Sequence, residues 1–253
     1  MEIVGLIPAA GIASRLGKLP SSKELLPVRD DSGKVKVVSE NLIHYYRIAG
    51  IKEIFIVIRQ GKWDIPEYYG DGAEFGVHIG YLMMRHPYGT PFTLNQAYPF
   101  VKDKMVAMGF PDIIFKPEDA FKQLISRISE NDADIMLGIV PHKKAIKSDM
   151  VEFNENGSIR DIVIKQDRWD LKYSWFITVW KPRFTQFLKD FVDDCLNRDV
   201  TKIRMQDGSW REIFIGDVIL HAIKKGFKTD YIVFENSNYK DIGTPDDLKN
   251  LLQ

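Results

Sequence analysis

The sequence predicts an α/β protein of three layers, in which a mostly parallel, mixed central sheet carries helices on both faces. Short β-branched runs alternate with helical stretches in the first part of the chain, as is typical of βαβ units. From residue 149 onwards, an Asn/Gly turn between two further strands indicates that antiparallel pairing enters the sheet. The sequence shows no repeat, low-complexity segment or linker. We therefore expect one domain over residues 1–253, with two functional halves at about 1–112 and about 113–253.

The first half is expected to begin with a strand at Ile3–Ile7, because this apolar run has the length of a strand. A helix is predicted over Ser39–Ala49, and Gly50 follows it at the position that favours left-handed backbone. Pro117 suits the first position of another helix, which we expect to run to about Ser129. Four further strands are predicted at Glu53–Ile58, Val77–Met83, Lys104–Met108 and Asp134–Val140. A weak helix is predicted at Thr90–Ala97.

The second part of the chain combines a hairpin with longer helices. The hairpin strands are predicted at 150–153 and 158–165 on either side of an Asn-Glu-Asn-Gly turn. In the next strand, Ser174–Trp180, we expect Trp175 and Trp180 on opposite faces and interpret them as core rather than as a wall for a sugar. The remaining elements are helices at about Pro182–Leu196 and Glu212–Lys225, a strand at Tyr231–Phe234 and a helix from about Pro245.

Composition excludes some partners and favours one compartment. Lys plus Arg and Asp plus Glu both number 35, so no net charge attracts nucleic acid or an anionic membrane, and we expect neither partner. Cys195 is the only cysteine, which fits a reducing compartment. The N-terminus lacks a basic start with a long apolar stretch, and no uncharged run approaches transmembrane length. The sequence therefore predicts a soluble cytoplasmic protein.

The loop after the first strand is the first candidate binding segment. Ligands of open α/β sheets bind beyond the carboxyl ends of the strands, where this loop lies. Small residues let a ligand approach the backbone, whose N–H groups can bind phosphate oxygens; they are Ala9, Ala10, Gly11 and Ala13. Arg15 and Lys23 follow and could neutralise a polyphosphate. An ordinary surface loop with solvated charges is the open alternative.

Motifs in this loop and after it follow a defined order along the chain and help to interpret the loop. They are Pro8–Gly11, Arg15-Leu16, Ser22–Val28, Tyr88–Thr90, Gly109–Asp112, Val151–Gly157, Ile164-Lys165, Ile215–Val218 and Tyr239–Leu248. Together these motifs resemble the sugar-phosphate nucleotidyltransferases, a family that includes glucose-1-phosphate thymidylyltransferases and UTP-glucose-1-phosphate uridylyltransferases. The resemblance implies the Rossmann-like fold of the nucleotide-diphospho-sugar transferases. It also implies transfer of a nucleoside monophosphate from a triphosphate to a sugar 1-phosphate or similar small phosphorylated acceptor, with release of pyrophosphate.

The resemblance also implies Mg²⁺ and two aspartates that bind it. Phosphoryl chemistry between two anions needs a divalent cation and fixed positive groups, and Mg²⁺ prefers one or two carboxylates together with phosphate oxygens and water. Asp112 follows a strand and corresponds to one metal-binding aspartate, which would also contact the nucleotide. Asp241 corresponds to the second. A simple turn at Asp112 remains open, and the helix start at Thr244–Asp247 needs no catalysis but does not account for Asp241.

The remaining implied roles concern the base and the acceptor. Lys165 corresponds to the lysine that contacts the sugar phosphate, and with Arg15 and Lys23 it completes the catalytic cations. Met84 and Gly89 fall where the family binds the nucleotide base. A solvated lysine at a strand end is the alternative for Lys165. An assembly of identical copies is compatible with the sequence.

Several positions depart from the family. Ala13 stands where glycine is usual, Met84 lies near the expected base-reading glutamine, and Ile164 replaces a glutamate that helps to hold sugar hydroxyls. Because these changes lie mostly at base and sugar recognition, we expect an unusual acceptor. They also leave open a non-catalytic protein that binds a nucleotide or nucleotide sugar. A nucleotide-sugar-dependent glycosyltransferase is less favoured, since Asp132-Ala-Asp134 precedes its strand and so lies away from the expected ligand edge.

Overall fold

The computed structural model describes residues 1–12, 19, 21–30, 32–86, 88–142, 145–204 and 208–242. The strands in these ranges are β1 Ile3–Pro8, β2 Pro27–Arg29, β3 Val35–Val37, β4 Glu53–Arg59, β5 His78–Met84, β6 Met105–Gly109, β7 Ile113–Ile114, β8 Ile135–Pro141, β9 Asp149–Phe153, β10 Ile159–Ile164, β11 Tyr173–Trp180, β12 Lys202–Arg204, β13 Trp210–Glu212, β14 Thr229–Val233 and β15 Lys240–Asp241. The α-helices are α1 Glu40–Ile48, α2 Asp64–Tyr69, α3 Thr90–Asn95, α4 Tyr98–Val101, α5 Ala120–Glu130, α6 Pro182–Asn197 and α7 Ile215–Lys224.

One mixed sheet of nine strands runs through both halves of the chain. Strands β5, β4, β1 and β6 lie side by side and are parallel. Strand β11 is antiparallel to β6 and to β8, and β14 extends the sheet as a parallel neighbour of β8. The β9–β10 hairpin joins through the first two residues of β11. The sheet therefore connects the parallel first half directly to a mixed second half.

Helices cover both faces of this sheet and bury a core on each. Helices α1, α2 and α5 contribute to one core, and helices α3, α4, α6 and α7 contribute to the other. Gly5 lets α1 approach β1 closely, because a Cβ there would lie 2.8 Å from the ring of Tyr46. The buried Tyr46 hydroxyl accepts from the Gly109 N–H, and its one hydrogen is shared between the Ala107 and Leu6 carbonyls, at 3.0 and 3.2 Å. This contact fixes α1 against β1 and β6, whose carboxyl ends lead into the candidate site.

A small antiparallel pair lies beyond the end of β6. Strand β7 pairs with β15, so that Asp241 is opposite Ile113 and Lys240 is opposite Ile114. The Ile242 N–H also donates to the carbonyl of Asp112 at 3.0 Å. These bonds bring the chain near residue 241 back to the carboxyl end of β6, although about half the sequence separates the two segments.

The predicted fold class is confirmed by this sheet and its two helix layers. The helix expected to begin at Pro117 begins instead at Ala120, and the one expected from Glu212 begins at Ile215, because Glu212 pairs with Lys202 in a hairpin. The prediction that Trp175 and Trp180 lie on opposite faces was wrong. A register shift in β11 between Trp175 and Ile177 brings both rings into the same core.

Two further points concern the limits of the sequence predictions. The helix predicted from about Pro245 lies outside the described residues. Within the part of the chain that the structure describes, no helix is both long enough and apolar enough to span a bilayer.

Candidate active site

A cleft of about 450 Å³ opens where β1 and β6 end and β11 begins. Its lining comes from both halves of the chain and includes most of the described residues that the sequence predicted. The first half contributes Ala10, Gly11, Lys23, Gly89 and Asp112, and the second half contributes Lys165 and Asp241. This is the ligand edge expected for an open α/β sheet.

The described part of the loop after β1 presents backbone to this cleft. Ala10 and Gly11 line it, and a Cβ added at Gly11 would meet no atom of the other described residues within 4 Å. Ala9 does not line the cleft, because it is buried and its N–H donates to the Val57 carbonyl at 2.8 Å. Open space beside Gly11 leaves room for a ligand close to the backbone. Two further predicted residues, Ala13 and Arg15, lie outside the described residues.

Lys23 enters the cleft from a short 3₁₀ turn at Lys23–Leu25. Asp64 holds the start of this turn, since its carboxylate accepts from the Ser22 N–H at 2.6 Å and from the Ser22 hydroxyl at 2.7 Å. The Lys23 ammonium lies 2.5 Å from Asp112 Oδ2. An anchored turn and a charged partner therefore fix the position of this cation.

A second, fully buried ion pair lies directly behind Lys23. The Lys62 ammonium donates to the two carboxylate oxygens of Glu24 at 2.6 and 2.7 Å, and both residues are less than 5% exposed. Burial lowers the pKa of the Lys62 ammonium, and Glu24 opposes this effect. Sequence reasoning missed this pair, because an ordinary Lys-Glu dipeptide and a lysine about forty positions later carry no signal of mutual burial.

Asp112 and Asp241 meet at the same end of the cleft. Asp112 is only 7% exposed, and the β7–β15 pairing brings Asp241 next to it. Burial by itself lowers the pKa of the nearby Lys23 ammonium. The charges of Asp112, Glu24 and Asp241 outweigh burial, so the pKa of Lys23 lies above its ordinary value. The two aspartates thus create a site of negative potential at which a cation is already favoured.

This donor set fits Mg²⁺ bound together with a ligand. Among the described residues, no group of three or more His, Cys, Asp or Glu side chains is placed to hold a metal by itself. Mg²⁺ usually takes one or two carboxylates and completes its shell with phosphate oxygens and water. Asp112 and Asp241 can supply those carboxylates, and a triphosphate in the cleft would supply the rest.

Lys165 marks the opposite, second-half end of the cleft. It follows β10 with a φ of 48°, in the left-handed region that is uncommon for a lysine. Its ammonium lies 3.4 Å from the centre of the Phe214 ring, a cation–π contact. An unusual backbone angle combined with an aromatic platform is typical of a side chain held at a functional site.

The two residues predicted near the base differ in their surroundings. Gly89 lines the cleft with a φ of 137°, and a Cβ there would lie 2.4 Å from the Ile213 carbonyl oxygen, so only glycine fits. Met84 does not line the cleft; it is 4% exposed and packs in the core, where its sulfur accepts from the Thr93 hydroxyl. Met84 is therefore held in the core by its neighbours, and a contact with a base stays a prediction.

Sequence reasoning also missed Asp149, which lines the cleft near Lys165. Asp149 is the direct cross-strand partner of the buried Ile164. Burial raises the pKa of the Asp149 carboxyl to about 6, although Lys165 opposes the shift. The only signal in the sequence was the dipeptide Ser148-Asp149 just before a predicted strand. Such a dipeptide is too common to indicate a site.

Asp132 and Asp134, the motif of the glycosyltransferase alternative, have structural partners. Asp134 is buried before β8 and accepts from Arg183 at 2.7 Å and from the Lys228 N–H at 3.0 Å. Asp132 pairs with the Lys228 ammonium. Neither aspartate lines the cleft, so the motif is accounted for by packing at the amino end of β8.

The comparisons with known proteins agree with this architecture. A family model described as nucleotidyl transferase matches residues 4–253. The low-salt glycan biosynthesis nucleotidyltransferase Agl11 of Haloferax volcanii is 25% identical over 248 residues, covering 96% of this chain and 63% of that protein. The D-glycero-α-D-manno-heptose 1-phosphate guanylyltransferase of Campylobacter jejuni is 24% identical over 250 residues, covering 98% of this chain and 97% of that protein.

A solved structure confirms the fold. The crystal structure of a protein described as a glucose-1-phosphate thymidylyltransferase from Bacillus anthracis, in complex with sucrose, superposes with a TM-score of 0.83. The two chains are 18% identical, and the alignment covers 98% of this chain and 93% of that one.

The chain belongs to the nucleotidyl transferase family, since the family model matches nearly its whole length. Relatives named as glucose-1-phosphate thymidylyltransferase and heptose 1-phosphate guanylyltransferase confirm the predicted resemblance to the sugar-phosphate nucleotidyltransferases. The chain spans less than two thirds of the length of the Haloferax relative and nearly all of the Campylobacter one. The thymidylyltransferase and guanylyltransferase names differ in nucleobase and in acceptor, so membership of the family does not by itself assign either substrate of this chain.

Proposed function

We propose that this protein transfers a nucleoside monophosphate from a nucleoside triphosphate to a sugar 1-phosphate or similar small phosphorylated acceptor, with release of pyrophosphate. An oxygen of the acceptor phosphate attacks the α-phosphorus, and the bond from that phosphorus to the bridging oxygen of the β-phosphate breaks. The observation that carries the proposal is the meeting of Lys23, Asp112, Asp241 and Lys165 in one cleft built by both halves of the chain.

The first-half end of the cleft is suited to the triphosphate. Backbone near Ala10 and Gly11 can approach phosphate oxygens, and Lys23 can neutralise charge that develops on the departing pyrophosphate. Arg15 is proposed for the same task on the strength of its motif. This division assigns residues up to about 112 to the nucleotide and the later ones to the acceptor, except for Asp241, which lies beside Asp112.

Asp112 and Asp241 would hold Mg²⁺, which when bound neutralises the phosphates and orients them for in-line attack. The Lys23 ammonium already uses Asp112 as its partner at 2.5 Å. Arrival of the triphosphate would give Lys23 new anionic partners and free the Asp112 carboxylate for the metal. The Lys23 ammonium thus compensates the charge of the Asp112 carboxylate before substrate arrives.

Lys165 would bind the phosphate of the acceptor at the other end of the cleft. Its ammonium is a point charge held over Phe214, and the left-handed backbone at Lys165 fixes where the side chain leaves β10. Two phosphates that repel each other need such fixed cations to come within bonding distance.

A substrate screen tests the proposal directly. Four nucleoside triphosphates are each combined with a panel of sugar phosphates and polyol phosphates in the presence of Mg²⁺, and pyrophosphate is detected by a coupled assay. We expect one triphosphate and one acceptor together to give pyrophosphate, and neither substrate alone to do so. Pyrophosphate release that ignores the acceptor, or no release with any pair, would contradict transfer.

One observation favours a second candidate, a non-catalytic protein that binds a nucleotide or nucleotide sugar. Ile164 is 4% exposed and Met84 is buried, so neither position offers a polar contact to a sugar or a base. Binding of a nucleotide sugar without pyrophosphate release in the same screen would identify this candidate.

The expected compartment is the cytoplasm. Nucleoside triphosphates and sugar phosphates are the proposed substrates, and the single cysteine, Cys195, is buried and unpaired. An assembly of identical copies stays a prediction that gel filtration with light scattering can test.

A further inference from the structure

The acceptor end of the cleft contains a carboxylate that the proposed function has not used. Asp149 lines the cleft and is partly buried, and its Oδ1 atom is shielded from solvent without a hydrogen-bond partner among the described residues. A buried oxygen with no donor costs about 1–3 kcal/mol, so such atoms are rare unless they serve a ligand or a motion.

An unpartnered donor lies beside this carboxylate. Trp175 lines the same cleft and is 5% exposed, and its indole N–H also lacks a hydrogen-bond partner among the described residues. The N–H lies near enough to the Asp149 carboxyl to lower its pKa, but the two groups do not meet the geometry of a hydrogen bond. The two groups are therefore neighbours at the acceptor end of the cleft.

The surroundings of Asp149 hold the carboxylate at this place. A Cβ at Gly216 would lie 2.5 Å from Asp149 Oδ2, so the glycine in the first turn of α7 leaves the space that this oxygen occupies. The Ser174 hydroxyl donates to the Asp149 carbonyl at 3.0 Å and joins β9 to β11. Ile164, the cross-strand partner, is buried, so Asp149 alone of this pair presents a polar group to the cleft.

We infer that Asp149 is a specificity-determining residue that accepts a hydrogen bond from a hydroxyl of the acceptor, and that Trp175 is the positioning residue that holds its carboxylate. The inference rests on the proposed function, because it takes Lys165, whose charge reaches Asp149, as the contact for the acceptor phosphate. A hydroxyl donates to a carboxylate, while the phosphate of the same molecule is repelled by it. The pair Asp149 and Lys165 therefore orients an acceptor that carries a hydroxyl at one end and a phosphate at the other.

Electrostatics at Asp149 agree with this role. Burial raises the pKa of the carboxyl to about 6, Lys165 and Arg211 oppose the shift, and Asp217 adds to it. A hydrogen bond from a hydroxyl favours the ionised form, so a bound acceptor would lower that pKa again. Ligand binding thus relieves the cost of keeping the charge in the cleft.

Direct titration tests the inference without relying on turnover. The probes are D-glucose 1-phosphate and glycerol 3-phosphate, which carry hydroxyls, methyl phosphate, which carries none, and O-phosphoethanolamine, which carries an ammonium. Calorimetry on the full chain, with a non-hydrolysable triphosphate and Mg²⁺ present, compares wild type with Asp149→Ala, Asp149→Asn and Trp175→Phe. Matched controls are Asp161→Ala, which lies on β10 outside the cleft lining, and Trp169→Phe, whose ring is 88% exposed.

We expect wild type and both controls to bind at least one hydroxylated probe more tightly than methyl phosphate by about tenfold or more, as for a hydrogen bond to a charged group. Asp149→Ala should lose this preference, with Asp149→Asn and Trp175→Phe losing part of it. Affinity for methyl phosphate should not fall in any variant, and loss of the Asp149 charge should raise it, because that charge repels the phosphate. Unchanged binding of the triphosphate analogue shows that each variant is folded.

Three results would overturn the inference. The first is a preference for hydroxylated probes that Asp149→Ala retains. The second is a wild type that binds methyl phosphate as tightly as the hydroxylated probes. The third is a preference for O-phosphoethanolamine that depends on Asp149, which would assign an ammonium instead. The absence of pyrophosphate release by wild type would contradict the proposed function, but the titrations would still decide the role of Asp149.

Discussion

The two ends of the cleft differ in how their charges are compensated. At the first-half end, Lys23 pairs with Asp112, and Lys62 pairs with Glu24 behind it. At the second-half end, the Asp149 carboxylate keeps an oxygen without a hydrogen-bond partner among the described residues. The two ion pairs at the first end are thus formed before any ligand binds, whereas the Asp149 oxygen at the second end lacks a partner.

This difference suggests two ways to prepare a site for an anion. Paired charges avoid the larger cost of an isolated buried charge and can exchange partners when a triphosphate and a metal arrive, which suits the larger and more highly charged substrate. An unpaired carboxylate destabilises the free protein, but it discriminates strongly, since an acceptor without the matching group leaves it unsatisfied. The comparison predicts that changes at the first end lower turnover or stability, whereas changes at the second alter the choice of acceptor and, at Asp149, raise stability.

The largest effect is expected from Asp112→Asn and Asp241→Asn. Each removes one of the two charges proposed to hold Mg²⁺, so kcat/KM should fall by about 10²–10³ or more at fixed Mg²⁺. Steady-state pyrophosphate release over a Mg²⁺ series measures the loss. Asp103→Asn, at an exposed aspartate outside the cleft lining, is the control that should retain full activity. Wild-type rates in either cleft variant would remove the metal assignment.

The next effect concerns the buried pair behind Lys23. Lys62→Met leaves the Glu24 carboxylate, which is 2% exposed, without its cation, and the free energy of unfolding should fall by about 3–5 kcal/mol. Urea unfolding followed by circular dichroism measures this loss. The double variant with Glu24→Leu should regain much of it, because no buried charge remains unpaired. A single variant as stable as wild type would show that this end is less dependent on paired charge than we argue.

At the acceptor end, Lys165→Met should act on one substrate only. The KM for the phosphorylated acceptor should rise by about tenfold to a hundredfold, since a charge-assisted phosphate contact is lost. The KM for the triphosphate should change by less than about twofold. Lys172→Met, at an exposed lysine outside the cleft lining, is the matched control. An equal rise in the KM values of both substrates would contradict the division of the cleft into a triphosphate end and an acceptor end.

The smallest effect is a gain in stability that depends on pH. The pKa of Asp149 is raised from 3.8 to about 6 in the folded protein, so ionisation of this carboxyl costs stability progressively between about pH 4 and 6, and the full cost is present above about pH 6. Asp149→Asn should therefore stabilise the protein by about 1–3 kcal/mol at pH 7.5, and the gain should shrink towards zero near pH 4. Denaturant unfolding at several pH values measures it. A gain in stability that is the same at every pH, or a loss of stability at pH 7.5, would show that folding does not raise the pKa of the Asp149 carboxyl.

Features that follow from chain order were predictable from the sequence. The strand at the start of the chain, the loop beyond it and the position of Asp112 after β6 all follow from local patterns and from the rule that ligands bind at the carboxyl ends of strands. Asp241 required the ordered set of motifs, because only the pairing of β15 with β7 brings it to Asp112.

Features that depend on burial could not be predicted. Lys62 and Asp149 look like ordinary polar residues in the sequence, and their roles come from the loss of solvent around them. The start of α5 was displaced to Ala120 because a proline that suits a helix start does not enforce one. The opposite faces predicted for Trp175 and Trp180 failed because one register shift changes the alternation of a strand.

Phosphorus NMR of a single reaction mixture tests the central claim most directly. The mixture contains the protein, Mg²⁺, and the triphosphate and acceptor selected by the screen. We predict that the α-phosphate and acceptor phosphate signals are replaced by one diphosphate diester, with pyrophosphate appearing in equal amount. Inorganic phosphate as the product, or an unchanged spectrum from folded protein that binds both substrates, would contradict nucleotidyl transfer in this cleft.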